Sequence, residues 1–201
     1  MSGHIRNAVR VAGFAATPLF ALYNGALGLW YASVWHGSIC VYYLILSLLR
    51  FLLLAAERGR EREPQALLSK ERRIFYVTSA ILLLMNVALV VPVSLMVLDR
   101  RPVRLGMIPA IATATYTTYK VTAASFKLKR PKSSVFTRQL DRLGFVDALV
   151  SVLVLQNTLL TTVDGAVTAE MFPLVAVTSA AILLVVFTLS VLWFVRSARR
   201  P

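Results

Sequence analysis

Residues 35–55 are almost entirely apolar, and this run, WHGSICVYYLILSLLRFLLLA, most constrains what the chain can fold into. About twenty apolar residues make a helix of roughly 30 Å, which is the thickness of the hydrocarbon core of a membrane. Residues 57–73 follow directly, read ERGREREPQALLSKERR, and are too charged to enter lipid. The sequence therefore predicts a membrane-spanning helix that ends at this charged segment.

The overall composition extends this prediction to the whole chain. Of the 201 residues, 58% are hydrophobic and 15% are charged, whereas soluble domains carry about 25% charged residues. We expect one integral membrane domain over residues 1–201 and no separate soluble domain. Cys40 has no partner for an internal disulfide, and His4 and His36 are too few for a structural zinc site. No cofactor and no metal is predicted.

Six apolar stretches of membrane length follow one another, so the predicted fold class is all-α, a polytopic protein with six transmembrane helices. The first stretch is interpreted as a span and not as a cleaved signal peptide, because it is longer than a signal core and ends in the interfacial aromatics Trp30 and Tyr31. The predicted spans cover residues 11–30, 35–55, 74–98, 105–126, 146–163 and 172–195.

Lysine and arginine are distributed unevenly between the two sides of these spans. With the N-terminus inside, all but three of the 22 basic residues lie in cytoplasmic segments or adjoining helix ends. The exceptions are Arg100, Arg101 and Arg104. Because basic residues are retained in the cytoplasm during insertion, we expect both termini inside. The formal charge of +13 then reflects topology and contact with anionic lipids at the cytoplasmic face, and it does not indicate nucleic-acid binding.

Two cytoplasmic connections contain helix signals. Pro64 is well suited to the first turn of a short helix after the second span. Between the fourth and fifth spans, Ser134 can cap a helix in which Phe136 and Leu143 share a face. This second segment is either a helix in the headgroup layer or an extension of span five into the cytosol.

Three blocks of sequence resemble an uncharacterised family of bacterial six-span integral membrane proteins. The blocks are LYNGALGLWYASVWHGSICVYYLILSLLRFLLL, ATYTTYKVTAASFKLKR and VDALVSVLVLQNTLLTTV, and the resemblance covers most of the chain. It implies a six-span architecture and a location in the bacterial cytoplasmic (inner) membrane. It implies no activity, and it carries over no catalytic or binding residue.

Polar residues inside the spans are the main functional indicators, because each is costly in lipid and faces other helices or a cavity. Five of them fall near mid-depth when the spans are laid out at about 1.5 Å per residue, a depth typical of transporter substrate sites. This mid-depth polar layer either lines a pocket or fastens the bundle by hydrogen bonds between helices. Its members are Asn24, Tyr43, Asn86, Tyr116 and Gln156.

Charged residues form a second group nearer the cytoplasm. Arg50, Lys120 and Asp147 lie about one to two turns inside spans two, four and five. We predict an ion pair of Asp147 with Lys120 or Arg50, since a buried carboxylate needs a cationic partner. In the alternative, both cations extend separately to the headgroups and Asp147 is stabilised by the dipole at the start of its helix.

Small residues recur along the first span. Ala8, Ala12 and Ala16 are spaced by four residues, and Gly25 and Gly28 follow. Such a stripe lets helices approach closely. It is either a surface for a partner protein, comparable to the alanine-rich first helix of vitamin-binding subunits in energy-coupling-factor transporters, or an intramolecular contact, which we favour.

Motifs for enzyme chemistry are missing from the sequence. It contains no HExxH, no paired carboxylates and no glycine-rich phosphate loop. His36 is better explained as an interfacial residue beside Trp35 than as a catalytic base. We therefore expect a non-enzymatic protein that handles a small solute, as a permease or as the membrane-embedded binding subunit of a transporter. The alternative is a non-catalytic membrane component that assembles with or regulates a partner protein.

Overall fold

Helices account for nearly all of the backbone that the computed structural model describes, and residues 31–33, 89 and 106 are its non-helical positions. The described backbone covers residues 2–62, 64–99, 106–128, 135–162 and 171–198, with side chains over 15–59, 73–94, 106–127, 136–159, 173–174 and 176–196. The helices are α1 (Ser2–Trp30), α2 (Val34–Arg62), α3 (Pro64–Ala88), α4 (Val90–Asp99), α5 (Met107–Leu128), α6 (Val135–Thr162) and α7 (Met171–Ala198). The predicted all-α class is confirmed over these residues.

Four of the helices are long and apolar enough to cross a membrane. Within the described residues these segments are Val34–Gly59, Arg73–Ser94, Phe136–Leu159 and Ala176–Arg196. They overlap predicted spans two, three, five and six, and the segment in α6 begins ten residues before the predicted fifth span. The other two predicted spans correspond to α1, of which only the side chains from residue 15 onward are described, and to the threonine-rich α5. The four apolar helices indicate a membrane-embedded α-helical protein.

The predicted third span is divided into α3 and α4 at Leu89. Pro92 has no amide hydrogen, so the helical bond that residue 92 would donate to the carbonyl of Ala88 is missing. The neighbouring bonds persist, with Leu89 N–H donating to Met85 O at 3.1 Å and Val93 N–H donating to Leu89 O at 3.3 Å. The span is thus two helical pieces joined at a proline.

The two helix signals predicted between the spans are parts of longer helices. Pro64 begins α3, which continues through the third apolar stretch instead of forming a separate short helix. Residues 135–145 belong to α6 without a break, so this segment is an extension of the fifth span. Phe136 and Leu143 are fully buried, and the Phe136 ring packs 5.2 Å from that of Phe75. The segment therefore packs against the bundle.

The helices pack as three neighbouring pairs, α1 with α2, α5 with α6, and α3 with α7. Contacts of α2 with α3 and α6, and of α6 with α7, join the pairs. In the apolar segment of α6, 61% of the residues are buried, against 17% in that of α7. Helix α6 is therefore the central element, and α7 is peripheral.

A tight turn joins α1 to α2. Ala32 adopts a left-handed conformation (φ 48°), and Ser33 N–H donates to Gly28 O at 3.0 Å, as in a helix C-cap. Ser33 also caps α2, since its Oγ accepts from the backbone N–H of His36 at 3.5 Å. A Cβ on Gly28 would lie 2.9 Å from the backbone N of Gly37, so the two helices approach closely here.

Candidate functional site

Asp147 of α6 is the centre of a buried charged cluster. Its side chain is fully buried, and Oδ2 accepts hydrogen bonds from Arg50 Nη2 of α2 and from Lys120 Nζ of α5, both at 2.6 Å. The exposed fractions of the two cationic side chains are 11% and 6%. The structure thus brings together the three charged residues selected from the sequence, and both cations contact the one carboxylate.

Thr17 of α1 completes this cluster. Its Oγ1 accepts from Arg50 Nη1 at 2.6 Å and from Lys120 Nζ at 2.5 Å. Four helices, α1, α2, α5 and α6, therefore each supply one side chain. The sequence analysis did not select Thr17, because hydroxyl residues are common in membrane helices and a single threonine gives no distinctive pattern.

Helical periodicity places these charges on buried faces. Arg50 lies between Leu46 and Leu53, which have no exposed surface and occupy the same face of α2. Lys120 follows Thr113 and Thr117 on the buried face of α5. The cations are therefore directed into the bundle, not toward the headgroups.

The helix dipole does not explain Asp147. Helix α6 begins at Val135, twelve residues earlier along the chain, which corresponds to about 18 Å along the helix axis. The dipole effect decays within the first turn, so it contributes little at this depth. Arg50 and Lys120 are consequently what stabilises the carboxylate.

Aromatic rings cover one side of the cluster. The hydroxyl of Tyr116 donates to Asp147 Oδ1 at 3.4 Å, and Lys120 Nζ lies 5.0 Å from the Tyr116 ring centroid. The Phe20 ring stacks on that of Tyr116 at 3.8 Å, and Tyr43 packs edge-on against both rings. Tyr43 is fully buried, and its hydroxyl has no hydrogen-bond partner among the described residues.

The mid-depth polar layer does not surround one void. Tyr43 and Tyr116 adjoin the charged cluster, whereas Asn24 donates to Phe20 O of its own helix at 2.9 Å. Asn86 joins three helices: its Oδ1 accepts from Tyr42 of α2 at 3.4 Å, and its Nδ2 donates to Ser190 of α7 at 2.6 Å.

Gln156 joins α6 to α7 separately. Its Nε2 donates to Thr178 Oγ1 at 2.5 Å and lies 3.4 Å from Ser179 Oγ. The five residues thus occupy several different helix contacts, although the sequence placed them at one depth.

A groove of about 460 Å³ runs between α2 and the α3–α4 junction. Gly37, Tyr42, Leu89 and Pro92 are among its lining residues, and no member of the mid-depth polar layer lines it. Its surface is mostly apolar, so it accommodates hydrocarbon better than a polar solute.

The remaining candidates from the sequence have structural roles or lie outside the described residues. His36 is buried with its Nδ1 3.0 Å from Ser33 Oγ, within the α1–α2 turn. Ala16 packs against the core, while the side chains of Ala8 and Ala12 are outside the described residues. Arg100, Arg101 and Arg104, the exceptions to the charge bias, are also outside them. No metal-binding group of three His, Cys, Asp or Glu occurs in the described part of the chain.

No protein-family model matches this chain, and no curated protein or solved structure shows significant similarity to it. Its function is therefore inferred from its fold and from the charged cluster.

Proposed function

We propose that the chain spans the bacterial cytoplasmic membrane six times, with both termini inside. The outward faces of α1 and α5 support spans one and four. Leu29 is 88% exposed, and Leu22 and Ile111 are also exposed, which is favourable in lipid and unfavourable in water. The threonines of α5 that reduce its hydropathy include Thr113 and Thr117, which are buried.

Exposed hydroxyls on α5 are compatible with lipid as well. Thr115 Oγ1 donates to Ile111 O at 2.8 Å, and Ser125 Oγ donates to Val121 O at 2.9 Å. Each hydroxyl is thereby satisfied within its own helix, as the hydrocarbon core requires. The orientation rests on the bias of basic residues, and the bacterial origin rests on the resemblance of the three sequence blocks.

We further propose that this protein handles a small solute, as a permease or as the membrane-embedded binding subunit of a transporter, and that the charged cluster is its binding site. The observation that carries the proposal is the second cation. One cation suffices to compensate Asp147, and a further buried charge costs several kcal/mol unless a second counter-charge compensates it. Intramembrane charges of this kind typically mark substrate pathways. No catalytic chemistry is proposed.

Identification of the bound molecule tests this proposal. The full chain is purified in mild detergent, and small molecules released on denaturation are identified by mass spectrometry. We expect a solute in the wild type and its loss in Thr17→Val, which removes the hydroxyl that contacts both cations. Thr115→Val is the matched control, because Thr115 faces outward and bonds its own helix. Equal recovery from both variants, or no solute from the wild type, would contradict the proposal.

A second candidate function is a non-catalytic component that assembles with or regulates a partner. It is favoured by Asn86 and Gln156, which are engaged between helices instead of lining a pocket. Its proposed contacts are the stripe Ala8, Ala12 and Ala16 of α1, and anionic lipids at the basic cytoplasmic face. Co-purification of a stoichiometric protein with no solute would favour this candidate, and loss of that protein in Ala12→Leu would locate the contact.

A further inference from the structure

The charged cluster has an excess of positive charge. Arg50 and Lys120 contribute two positive charges, and Asp147 contributes one negative charge. Thr17 and Tyr116, which also contact the cluster, are neutral. The side chains that contact one another here therefore carry a net charge of one positive unit within a low-dielectric interior, where an uncompensated charge is costly.

The cluster also has an excess of hydrogen-bond donors. Arg50 has five N–H groups and uses two, one for Thr17 and one for Asp147. Lys120 has three N–H groups and uses two, for the same two residues. Three guanidinium N–H groups and one ammonium N–H group are thus left without an acceptor among the described residues. Donors in a mostly buried cluster usually have partners, so these N–H groups can bind a further acceptor.

A deprotonated Lys120 would balance the charge without a ligand, but the geometry favours the ammonium. Its Nζ lies 2.6 Å from the carboxylate oxygen of Asp147, which is as short as the shortest charge-assisted hydrogen bonds. The second neighbour of Nζ, Thr17 Oγ1, is placed as an acceptor for two donors at once. Both contacts are those of a charged donor.

A third observation comes from the adjacent aromatic residues. The Tyr43 ring lies 5.9 Å from the Tyr116 ring, whose hydroxyl contacts Asp147. Tyr43 is fully buried, and its hydroxyl is unpartnered among the described residues. A phenolic hydroxyl donates as well as accepts, so a polar group beside the cluster would satisfy it too.

We infer that the cluster binds one compact, singly charged oxyanion group, a carboxylate or a phosphodiester, through Arg50 and Lys120. This inference rests on the proposed function and names its substrate class, a small organic anion. An anionic lipid headgroup carries the same chemistry and is the other possible source of the group. Binding of one negative charge neutralises the cluster and supplies the missing acceptors.

The test is thermal unfolding of the full chain in mild detergent. One series adds sodium acetate at constant ionic strength, which is maintained with a bulky sulfonate buffer salt. A second series adds phosphatidylglycerol or, as the zwitterionic comparison without net charge, phosphatidylcholine. The variants are Lys120→Met, which balances the cluster without an anion, and Lys120→Arg, which keeps the charge. Lys127→Met is the matched control, since Lys127 is exposed on the same helix.

We expect acetate to raise the unfolding temperature of the wild type in a saturable way, because a ligand stabilises the state that binds it. Acetate should raise the unfolding temperatures of Lys120→Arg and Lys127→Met as it does that of the wild type. In Lys120→Met the half-saturating concentration of acetate should rise by about tenfold or more, because one hydrogen bond to a charged group is lost. The absence of a saturable response to both acetate and phosphatidylglycerol, or an unchanged response in Lys120→Met, would overturn the inference.

Two further outcomes separate this inference from the proposed function. A response to phosphatidylglycerol alone, lost in Lys120→Met, would support the oxyanion site and remove the cluster as a solute site. A co-purified solute that is neutral or cationic, and is lost in Thr17→Val, would support solute handling and overturn the oxyanion inference.

Discussion

The charged cluster and the contact around Asn86 are both built from polar side chains between apolar helices. They differ in how many of their hydrogen-bond donors and charges have partners. At Asn86, Tyr42 donates to the amide oxygen, the amide nitrogen donates to Ser190, and Ser190 Oγ donates to Val186 O at 2.8 Å. This chain of bonds is neutral and ends on a backbone acceptor.

In the cluster around Asp147, the charges and the hydrogen-bond donors are not balanced. It has one carboxylate for two cations, and that carboxylate contacts Tyr116, whose ring packs against that of Tyr43, a tyrosine with an unpartnered hydroxyl among the described residues. The comparison teaches that two buried polar contacts can differ in their balance of charges and donors. That difference is why we propose the cluster around Asp147, and not the contact around Asn86, as a binding site.

The largest effect is expected when the single anion is removed. Asp147→Asn leaves Arg50 and Lys120 buried without a counter-charge, and breaking a buried pair in this way costs about 3–5 kcal/mol. The free energy of unfolding, measured by denaturing-detergent titration in mixed micelles, should fall by that amount. Adding Lys120→Met to Asp147→Asn removes one of the two cations and should recover part of the loss. Equal stability of the single and double variants would show that the charges are not coupled.

A smaller effect is expected from Gly28→Ala, which should affect the charged cluster and leave the contact around Asn86 unchanged. The new Cβ would lie 2.9 Å from the backbone N of Gly37, and backbone cannot yield as a side chain does. Overpacking of this kind costs about 1–3 kcal/mol. Moving α1 from α2 should also disturb the contact of Thr17 with Arg50 and reduce the acetate response, while the Asn86 contact, which does not involve α1, is unaffected.

The control for this variant is Gly37→Ala. A Cβ on Gly37 meets no atom within 4 Å, so the free energy of unfolding should stay the same or rise slightly with the better helix propensity of alanine. A loss in Gly37→Ala as large as in Gly28→Ala would show that close helix approach is not the cause.

The neutral contact should respond to mutation without any dependence on anions. Asn86→Leu removes the bonds to Tyr42 and Ser190, and bonds between membrane helices average about 0.6 kcal/mol each, so a loss of about 1–2 kcal/mol is expected. The rise in unfolding temperature with acetate should match that of the wild type. A weakened acetate response would mean that the two regions are coupled.

The smallest effect is expected from Thr117→Val. Thr117 Oγ1 donates to Ser151 O at 2.9 Å and joins α5 to α6 by one neutral bond, so a loss of about 0.6 kcal/mol is expected. Thr115→Val, whose hydroxyl bonds within α5, should leave the free energy of unfolding unchanged. If the free energy of unfolding falls by the same amount in both variants, the bond between α5 and α6 does not itself contribute to stability.

The sequence supports prediction of the apolar helices better than prediction of which side chains meet between them. Apolar runs locate spans, and a rise of about 1.5 Å per residue locates side chains by depth, which grouped Arg50 with Lys120 and Asp147. Asn86 and Gln156 are placed at one depth by the same argument, yet both contact α7, and their partners there, Ser190 and Thr178, lie twelve residues apart, about 18 Å along the helix axis. Which faces meet depends on helix neighbours, and these are set by packing over the whole bundle.

Three further features were beyond the sequence for specific reasons. Thr17 gives no signal of its own, because its role arises only where three other helices converge. The continuity of α6 through residues 135–145 depends on burial of Phe136 against Phe75, which lies far away in the chain. Because α6 is continuous, Asp147 lies deep in its helix. The predicted start of the fifth span at residue 146 had suggested instead that the dipole at the start of a helix stabilises Asp147.

The proline junction between α3 and α4 has a mechanical consequence. With one backbone bond missing at Pro92, this span resists bending less there than elsewhere along its length. Leu89 and Pro92 also form part of the wall of the 460 Å³ groove. Curvature imposed on the span by the surrounding bilayer will therefore concentrate at this compliant point, and the width of the groove will follow the angle between the two helical pieces.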